Sequence, residues 1–512
     1  MCCNRMLDAA CAAVIWLLPV SSGSHAPRGN ASLDAPRPIP RPIPRRRASK
    51  AGVPTQSVGT RPARRCPATL RHPVTLVLPI ALALLIGIAA TRHGIAAAPP
   101  APAERLVIDE ALAAAQGIRK LNGTHLTMYT DLPADPDVDE LPAVFDLAVP
   151  QWCAYFQIAP ARVRDWQLNG FLMQDKGRFQ TEGLLPAQLP PFLNGYQSGP
   201  NLWLYNQPEA FYRRHLFLHE GTHAFMNLVL GGTGPPWYGE GLAELLGTHR
   251  WQDGTLTLGY LPRDKKETPG WGRIKIIKDE VAANRGLMPD KILDYDAKAH
   301  LRNEPYAWCW GLATFFDAHP RYQQRFRALQ QSVRDRELTS RFREQLQADG
   351  KDLAEEWQLF VMNLEYGYEV ARAAVVRKPA EPLPTAGAEV SIDAARGWQS
   401  TGIRLEGGVA YRLTTHGRYQ VANTDEPWMC EPGGVTLHYY QGRPLGMLLG
   451  AVRDDAQPPP GLTPLARPEP IGLQRDWTPA RSGTLYLKIN ESAAHLADNA
   501  GELTVRIQRG GA

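Results

Sequence analysis

Apolar residues fall at helical spacing through VDELPAVFDLAVPQWCAYF (Val138–Phe156), which predicts a helix. On either side the period shortens. LNGTHLTMYTDLP (Leu121–Pro133) reads as a strand with a turn, and VRDWQLNGFLMQ (Val163–Gln174) and NLWLY (Asn201–Tyr205) read as further strands. Residues Ala103–Lys120 read as a short helical or linker segment. From Pro305 to about Lys378 helical spacing dominates, in YAWCWGLATFFDAH, RYQQRFRALQQSVRD, LTSRFREQL and DLAEEWQLFVMNLEYGYEVARAA. KPAEPLPTAGAE (Lys378–Glu389) breaks that pattern with three prolines and reads as a domain linker. Beyond it, IRLEGGVAYRLTT, GVTLHYY, GTLYLKI and GELTVRI alternate between Gly and Pro punctuation and indicate an all-β module. Strands and helices mix without regular βαβ alternation. The fold class expected is therefore α+β over residues 104–377, followed by an all-β sandwich over 390–512.

The chain of 512 residues is long enough for more than one compact domain. Its apolar share of 44% and charged share of 21% are those of a globular protein. The formal charge of +5 is unevenly placed. Residues 1–71 hold 12 Lys+Arg and 2 Asp, or +10, so residues 72–512 carry −5. The folded part is slightly acidic, and nucleic acid is not an expected partner. Residues 1–71, with APRPIPRPIPRRRASK (Ala35–Lys50), read either as a disordered extension or as an upstream stretch that is never translated. In residues 72–103, the 17 residues Val74–Ala90 carry no charge and follow Arg61, Arg64, Arg65 and Arg71. They read as an export signal, with Ala96-Ala97-Ala98 as a cleavage site, or as a single membrane anchor. Either reading places the rest of the chain outside the cytoplasm, in the periplasm, at the cell surface or beyond it. Of seven cysteines only Cys153, Cys309 and Cys430 follow this segment. They have no zinc-ligand spacing and read as three buried thiols, one pairing in an oxidising compartment being the other reading.

The chemistry concentrates in HLFLHEGTHAFMNLVLGGTGPPWYGEGLAELLG (His215–Gly247). His219-Glu220-Gly221-Thr222-His223 is an H-E-x-x-H motif, whose histidines sit one turn apart on one helix face and can reach a single metal ion. An open catalytic zinc site needs three protein ligands, with one position left for water, and a carboxylate near enough to move that water's proton. PPWYGEGLAELLG (Pro235–Gly247) reads as a loop feeding a second helix, on which Glu240 and Glu244 share a face. Glu240 can supply a third ligand, and Glu244 can hydrogen-bond the far nitrogen of a ligating histidine. The alternative is a helix pair with solvated histidines and glutamates.

HEGTH followed by W-x-x-E-G-x-A-E resembles the gluzincin metallopeptidases. Tyr306-Ala307-Trp308 in a later helix adds a likeness to the bacterial peptidase MA-like proteins, over roughly residues 120–375. The resemblance implies a zincin-like domain with a mixed sheet, active-site helices and a helical C-terminal subdomain. It implies Zn²⁺ on His219, His223 and Glu240, with Glu220 as the base and Glu244 behind a ligand. It also implies that the strand Asn201–Tyr205 is an edge that binds a peptide backbone by β-addition, a plain sheet strand being the alternative. Tyr306 is the candidate donor to a developing oxyanion, with core packing as its other reading. The interval from His223 to Glu240, 16 residues with four glycines and two prolines, is shorter than in the aminopeptidase branch, which is therefore not assigned.

SGTLYLKINESAAHLADNAGELTVRI (Ser482–Ile507) reads as two strands paired around an oxygen-rich loop, which suits Ca²⁺ or an Asx-rich turn. This segment, with GVAYRLTTHGRYQV (Gly408–Val421), resembles the galactophilic calcium lectin of the PA-I type. The resemblance implies Ca²⁺ at Glu491, Asp498 and Asn499 and the carbonyl of His495, and glycan as a partner. Glu stands where that family has Asp, and Asp where it has Asn. The function expected is an exported zinc metallopeptidase acting on a peptide or protein substrate. The alternatives are a surface protein that binds glycan and calcium, with a vestigial or structural metal site, and a metal-assisted hydrolase of another amide, such as one in a cell-wall peptide.

Overall fold

A five-stranded sheet carries the first part of the fold, in a computed structural model that describes residues 104–510 apart from 297, 299–301 and 455–460. Its strands are β1 (Arg119–Asn122), β2 (Leu126–Thr130), β3 (Leu168–Met173), β4 (Gly195–Ser198) and β5 (Asn201–Tyr205), in the order β1-β2-β3-β5-β4. β2, β3 and β5 run parallel, while β1 and β4 are antiparallel to their neighbours. The parallel strands are covered on both faces, as their near-continuous apolar sequences require. Leu126, Met128, Leu168, Leu172, Leu202 and Leu204 join the main core, while Tyr129, Phe171, Met173 and Trp203 join a smaller core on the other face.

The helices are α1 (Glu110–Ala115), α2 (Pro136–Asp139), α3 (Leu141–Tyr155), α4 (Lys176–Thr181), α5 (Ala210–Phe225), α6 (Pro236–Gly247), α7 (Arg273–Ala282), α8 (Pro289–Leu293), α9 (Asn303–Ala318), α10 (Gln323–Ala328), α11 (Leu338–Leu346), α12 (Gly350–Asn363) and α13 (Val370–Ala373). A hairpin of β6 (His249–Gln252) and β7 (Thr255–Leu258) follows α6. α6 packs on both α5 and α9. Its Gly241 permits the close approach to α9, because a Cβ there would lie 3.0 Å from the Cys309 carbonyl oxygen. Overall the architecture is mixed α+β. Among the described residues no helix is long and apolar enough to cross a membrane. The segment Val74–Ala90 and all of residues 1–103 lie outside the described part.

From Glu381 the chain is almost all strand. One sheet has the order β17-β16-β19-β10-β8, formed by β8 (Glu381–Pro382), β10 (Gln399–Leu405), β16 (Leu448–Arg453), β17 (Glu469–Pro470) and β19 (Gly483–Ile489). A second has the order β18-β11-β20-β9, formed by β9 (Ala388–Asp393), β11 (Tyr411–His416), β18 (Gln474–Trp477) and β20 (Glu502–Arg509). Leu405, Leu485 and Leu487 of the first sheet share one core with Leu413, Val505 and Ile507 of the second. Two ribbons complete the module, β12 (Tyr419–Asn423) with β13 (Pro427–Cys430), and β14 (Val435–Tyr440) with β15 (Arg443–Leu445).

Two expectations change here. Residues 378–389 do not behave as a free linker, because β8 pairs in parallel with β10 and Leu383 is buried in the second core. The prolines fit an edge strand, which needs fewer N–H donors. The strands of Ser482–Ile507 are not partners either. β19 and β20 belong to different sheets, and the polar loop between them crosses the module.

Candidate metal centre

α5 places His215, His219 and His223 four residues apart on one face and then continues into a π-helical turn at Met226–Leu230. Gly231, in the left-handed region at φ 89°, ends that turn. The chain re-enters helix at Pro236, where a proline costs no hydrogen bond, and α6 turns Glu240 and Glu244 back towards α5.

The Oε2 atom of Glu240 lies 3.3 Å from His219 Nε2 and 3.3 Å from His223 Nε2. Two donors each about 2.0–2.1 Å from one ion at a tetrahedral angle stand about 3.3–3.4 Å apart, so these residues fit a common zinc-sized cation. The two imidazole rings are nearly perpendicular, at 79°, with centroids 4.8 Å apart. His219, His223 and Glu240 thus form a group able to hold a metal ion.

Behind this group, Glu244 Oε1 lies 3.4 Å from His219 Nδ1, the position expected of a carboxylate orienting a ligand. Arg273 of α7 holds Glu244 through two hydrogen bonds of 2.8 Å, from Nε to Oε2 and from Nη2 to Oε1. Both side chains are buried. His215 Nε2 approaches the same Oε1 at 3.5 Å. The sequence reading missed Arg273 and His215. The i−4 spacing of His215 was a visible signal, whereas Arg273 had none.

Burial opposes charge on His219, but Glu240 and Glu244 outweigh it and hold the imidazole up at about 10. Burial likewise opposes ionisation of Glu240, yet His223 and His219 draw its carboxyl far below the usual range. Glu244 is also held low against burial, first by Arg273 and then by His215. Glu220 moves the other way. Its burial raises the carboxyl, only partly offset by His219 and His223, which suits a proton acceptor.

These residues line a cavity of about 280 Å³ together with Tyr306 and β4. Tyr306, in the first turn of α9, lies edge-on to His219 with ring centroids 5.9 Å apart. Burial, with Glu240 and Glu220 nearby, pushes its hydroxyl up, so it stays a donor. The strand facing the cavity is not the one expected. Asn201–Tyr205 (β5) is an interior strand, paired on both sides, and the free edge is β4. β4 reaches the π-helical turn that follows the motif helix through Asn227 Nδ2, which donates to Gln197 Oε1 at 2.8 Å.

In the β module Glu491 and Asn499 are buried, Asp498 is half-buried, and His495 is exposed. Glu491 Oε1 accepts from the Ser492 amide at 2.8 Å, Asp498 Oδ2 from the Asn423 amide at 3.2 Å, and Asn499 Nδ2 donates to the Ala394 carbonyl at 3.0 Å. The remaining oxygens of these groups, Glu491 Oε2, Asp498 Oδ1 and Asn499 Oδ1, are buried with no hydrogen-bond partner. One side of the loop rests on the helical part, where the Glu369 amide donates to the Ala493 carbonyl at 2.8 Å and Ser492 bonds Glu365. Cys153, Cys309 and Cys430 are free, buried thiols.

No protein-family model matches the chain, and no curated protein matches it. Among solved structures it is similar to one described as "EclA N-terminal domain; PllA-like lectin", at 21% identity and a TM-score of 0.19, over 24% of this chain and 95% of that one.

Proposed function

We propose that residues 104–377 are the catalytic part of an exported zinc metallopeptidase, with Val74–Ala90 as its export signal or anchor. The observation that carries this reading is the single oxygen of Glu240 placed 3.3 Å from both histidine Nε2 atoms. His219, His223 and Glu240 would hold the zinc, which supplies Lewis acidity to a carbonyl and to water. A peptide backbone adds to the free edge of β4 and is thereby aligned along the cavity. Glu220, beside that edge, accepts a proton from the attacking water and later returns it to the leaving amine. Tyr306 donates its hydroxyl proton in a hydrogen bond to the oxyanion that develops on the carbonyl. Burial of the floor excludes bulk water and strengthens each of these interactions.

Metal content by mass spectrometry tests the ligand set. About one zinc per chain is expected in the wild type, with a 10–100-fold or greater loss of affinity in His223→Ala and Glu240→Ala. A peptide-library assay with and without chelator tests the activity, and Glu220→Gln should abolish cleavage while keeping zinc. A zinc-loaded protein that cleaves no member of a broad library would remove the peptidase reading.

The three unpartnered buried oxygens of Glu491, Asp498 and Asn499 favour a second cation site, for Ca²⁺, in the β module. Glycan binding there would use the side of the loop turned away from Glu365 and Glu369.

A further inference from the structure

Two His/Glu groups that could hold a metal ion share His219. One, with His223 and Glu240, lies on its Nε2 side. The other, with His215 and Glu244, lies on its Nδ1 side and is fully buried. Glu244 Oε1 stands 3.4 Å from His219 Nδ1 and 3.5 Å from His215 Nε2, too oblique for a formed hydrogen bond, and His215 Nδ1 has no partner. By donor type alone the second group competes for the same ion.

Arg273 separates them. Its guanidinium fork takes one oxygen of Glu244 on Nε and the other on Nη2. A bidentate pair of this kind fixes the carboxylate plane and sets a permanent positive charge where a second cation would have to sit. The same guanidinium lies over the Tyr306 ring, with Cζ 5.6 Å from its centroid. Arg273 is itself buried, with its Nε and Nη2 committed to Glu244.

We propose that Arg273 is the positioning residue of the metal centre. It locks Glu244 with Oε1 towards His219 Nδ1, so that His219 presents Nε2, and it thereby confines the ion to the group containing His223 and Glu240. Through its contact with Tyr306 it also fixes the ring that faces the same cavity. This inference rests on the zinc reading above.

The test uses purified protein, stripped with chelator and titrated with Zn²⁺ and, separately, with Co²⁺ while the visible spectrum is recorded. Arg273→Gln leaves the buried Glu244 carboxylate without its guanidinium and can misfold, so the paired variant Glu244→Gln/Arg273→Gln, which removes both charges, accompanies it. Zinc affinity is expected to fall 10–100-fold in both, with no further loss in the paired variant beyond the single one. The cobalt absorption bands are expected to change shape, and Arg273→Lys, which keeps the charge without the fork, should recover part of the affinity. Wild-type zinc affinity and an unaltered cobalt spectrum in a folded Arg273→Gln or paired variant would overturn the proposal. His223→Ala separates the two levels. If it loses zinc while the Arg273 variants do not, only this inference fails. If it keeps zinc, the metal reading fails and the inference with it.

Discussion

Gly195 on the free edge strand and Glu220 on the motif helix are in contact. A Cβ at position 195 would lie 2.5 Å from Glu220 Oε1 and 3.0 Å from its Cγ. Ordinary carbon contacts are about 3.5–4.0 Å, so no other residue fits without moving the carboxylate. The atoms in the way belong to the end of a side chain and can swing aside. Gly195→Ala is therefore expected to fold and to keep its zinc while displacing the proposed base. A displacement near 1 Å at a reacting group costs on the order of 100-fold in kcat. Peptidase kinetics beside zinc content and a melting curve make the check, and unimpaired turnover would mean that Glu220 does not act from this position.

His249, which is not among the residues proposed to hold zinc, gives the fold a pH dependence. It is 1% exposed, stacks on Phe211 with centroids 4.5 Å apart, and places Nδ1 2.8 Å from the Gly247 carbonyl. Burial, chiefly, holds its pKa down at about 3. The unfolded chain takes up this proton near pH 6.5 and the folded chain does not. The stabilisation is complete above pH 6.5 and drains as the pH falls towards 3. From pH 6.5 to 5 this single group should cost about 2 kcal/mol of stability. Urea unfolding at pH 7, 6 and 5 should show that slope in the wild type and its loss in His249→Gln. Equal slopes in the two proteins would count against a neutral buried imidazole.

The part of the candidate metal centre legible in the sequence is the part written in local spacing. H-E-x-x-H and the Glu240/Glu244 pair each occupy one helical turn, so a period of 3.6 puts their side chains on one face before any tertiary contact is known. Arg273 lies 29 residues from Glu244 on another helix, and no local pattern distinguishes it from a surface arginine. Strand position is a pairing property. NLWLY reads correctly as a strand, but its place inside the sheet depends on β4, four half-buried residues with no alternation to betray them. β19 and β20 likewise alternate as expected, yet which sheet each joins is set by distant partners. The linker reading of residues 378–389 treated proline as a breaker, when an edge strand tolerates it.

The helical part and the β module are expected to unfold together. Arg453 of β16 donates to Asp352 of α12 at 2.7 Å and pairs with Glu355 at 2.8 Å, and Arg377 pairs with both of these carboxylates at 3.1 Å. The Thr463 amide adds a 3.0 Å bond to Gln358. Arg453 and Glu355 are both buried. Removing one member of a buried charge network costs about 3–5 kcal/mol, because the partner charge stays behind. Calorimetry should show one transition in the wild type, shifted down in Arg453→Met. Two separate transitions in the wild type would show that these bonds do not couple the modules.

Calcium should stabilise the β module without any sugar. Burial raises the Glu491 carboxyl to about 7, with Asp498 and Glu365 adding to the rise and the Ser492 amide and Lys488 opposing it. A carboxyl in that setting, whose Oε2 is one of three buried oxygens in the loop that lack partners, gains most from a cation, which removes the penalty of its ionisation. Because Ser492 and Ala493 are held against Glu365 and Glu369, an ion in the loop would also fasten the module to the helical part. Calcium at 100 times its dissociation constant should contribute about 2.7 kcal/mol, or a rise of about 3 °C in Tm if the roughly 400 residues of the helical part and the β module unfold together. Glu491→Gln and Asp498→Asn should abolish most of that rise, and magnesium, which demands tighter octahedral geometry, should not reproduce it. A melting temperature indifferent to calcium and to chelator would leave the loop as a hydrogen-bonded turn whose spare oxygens take up water.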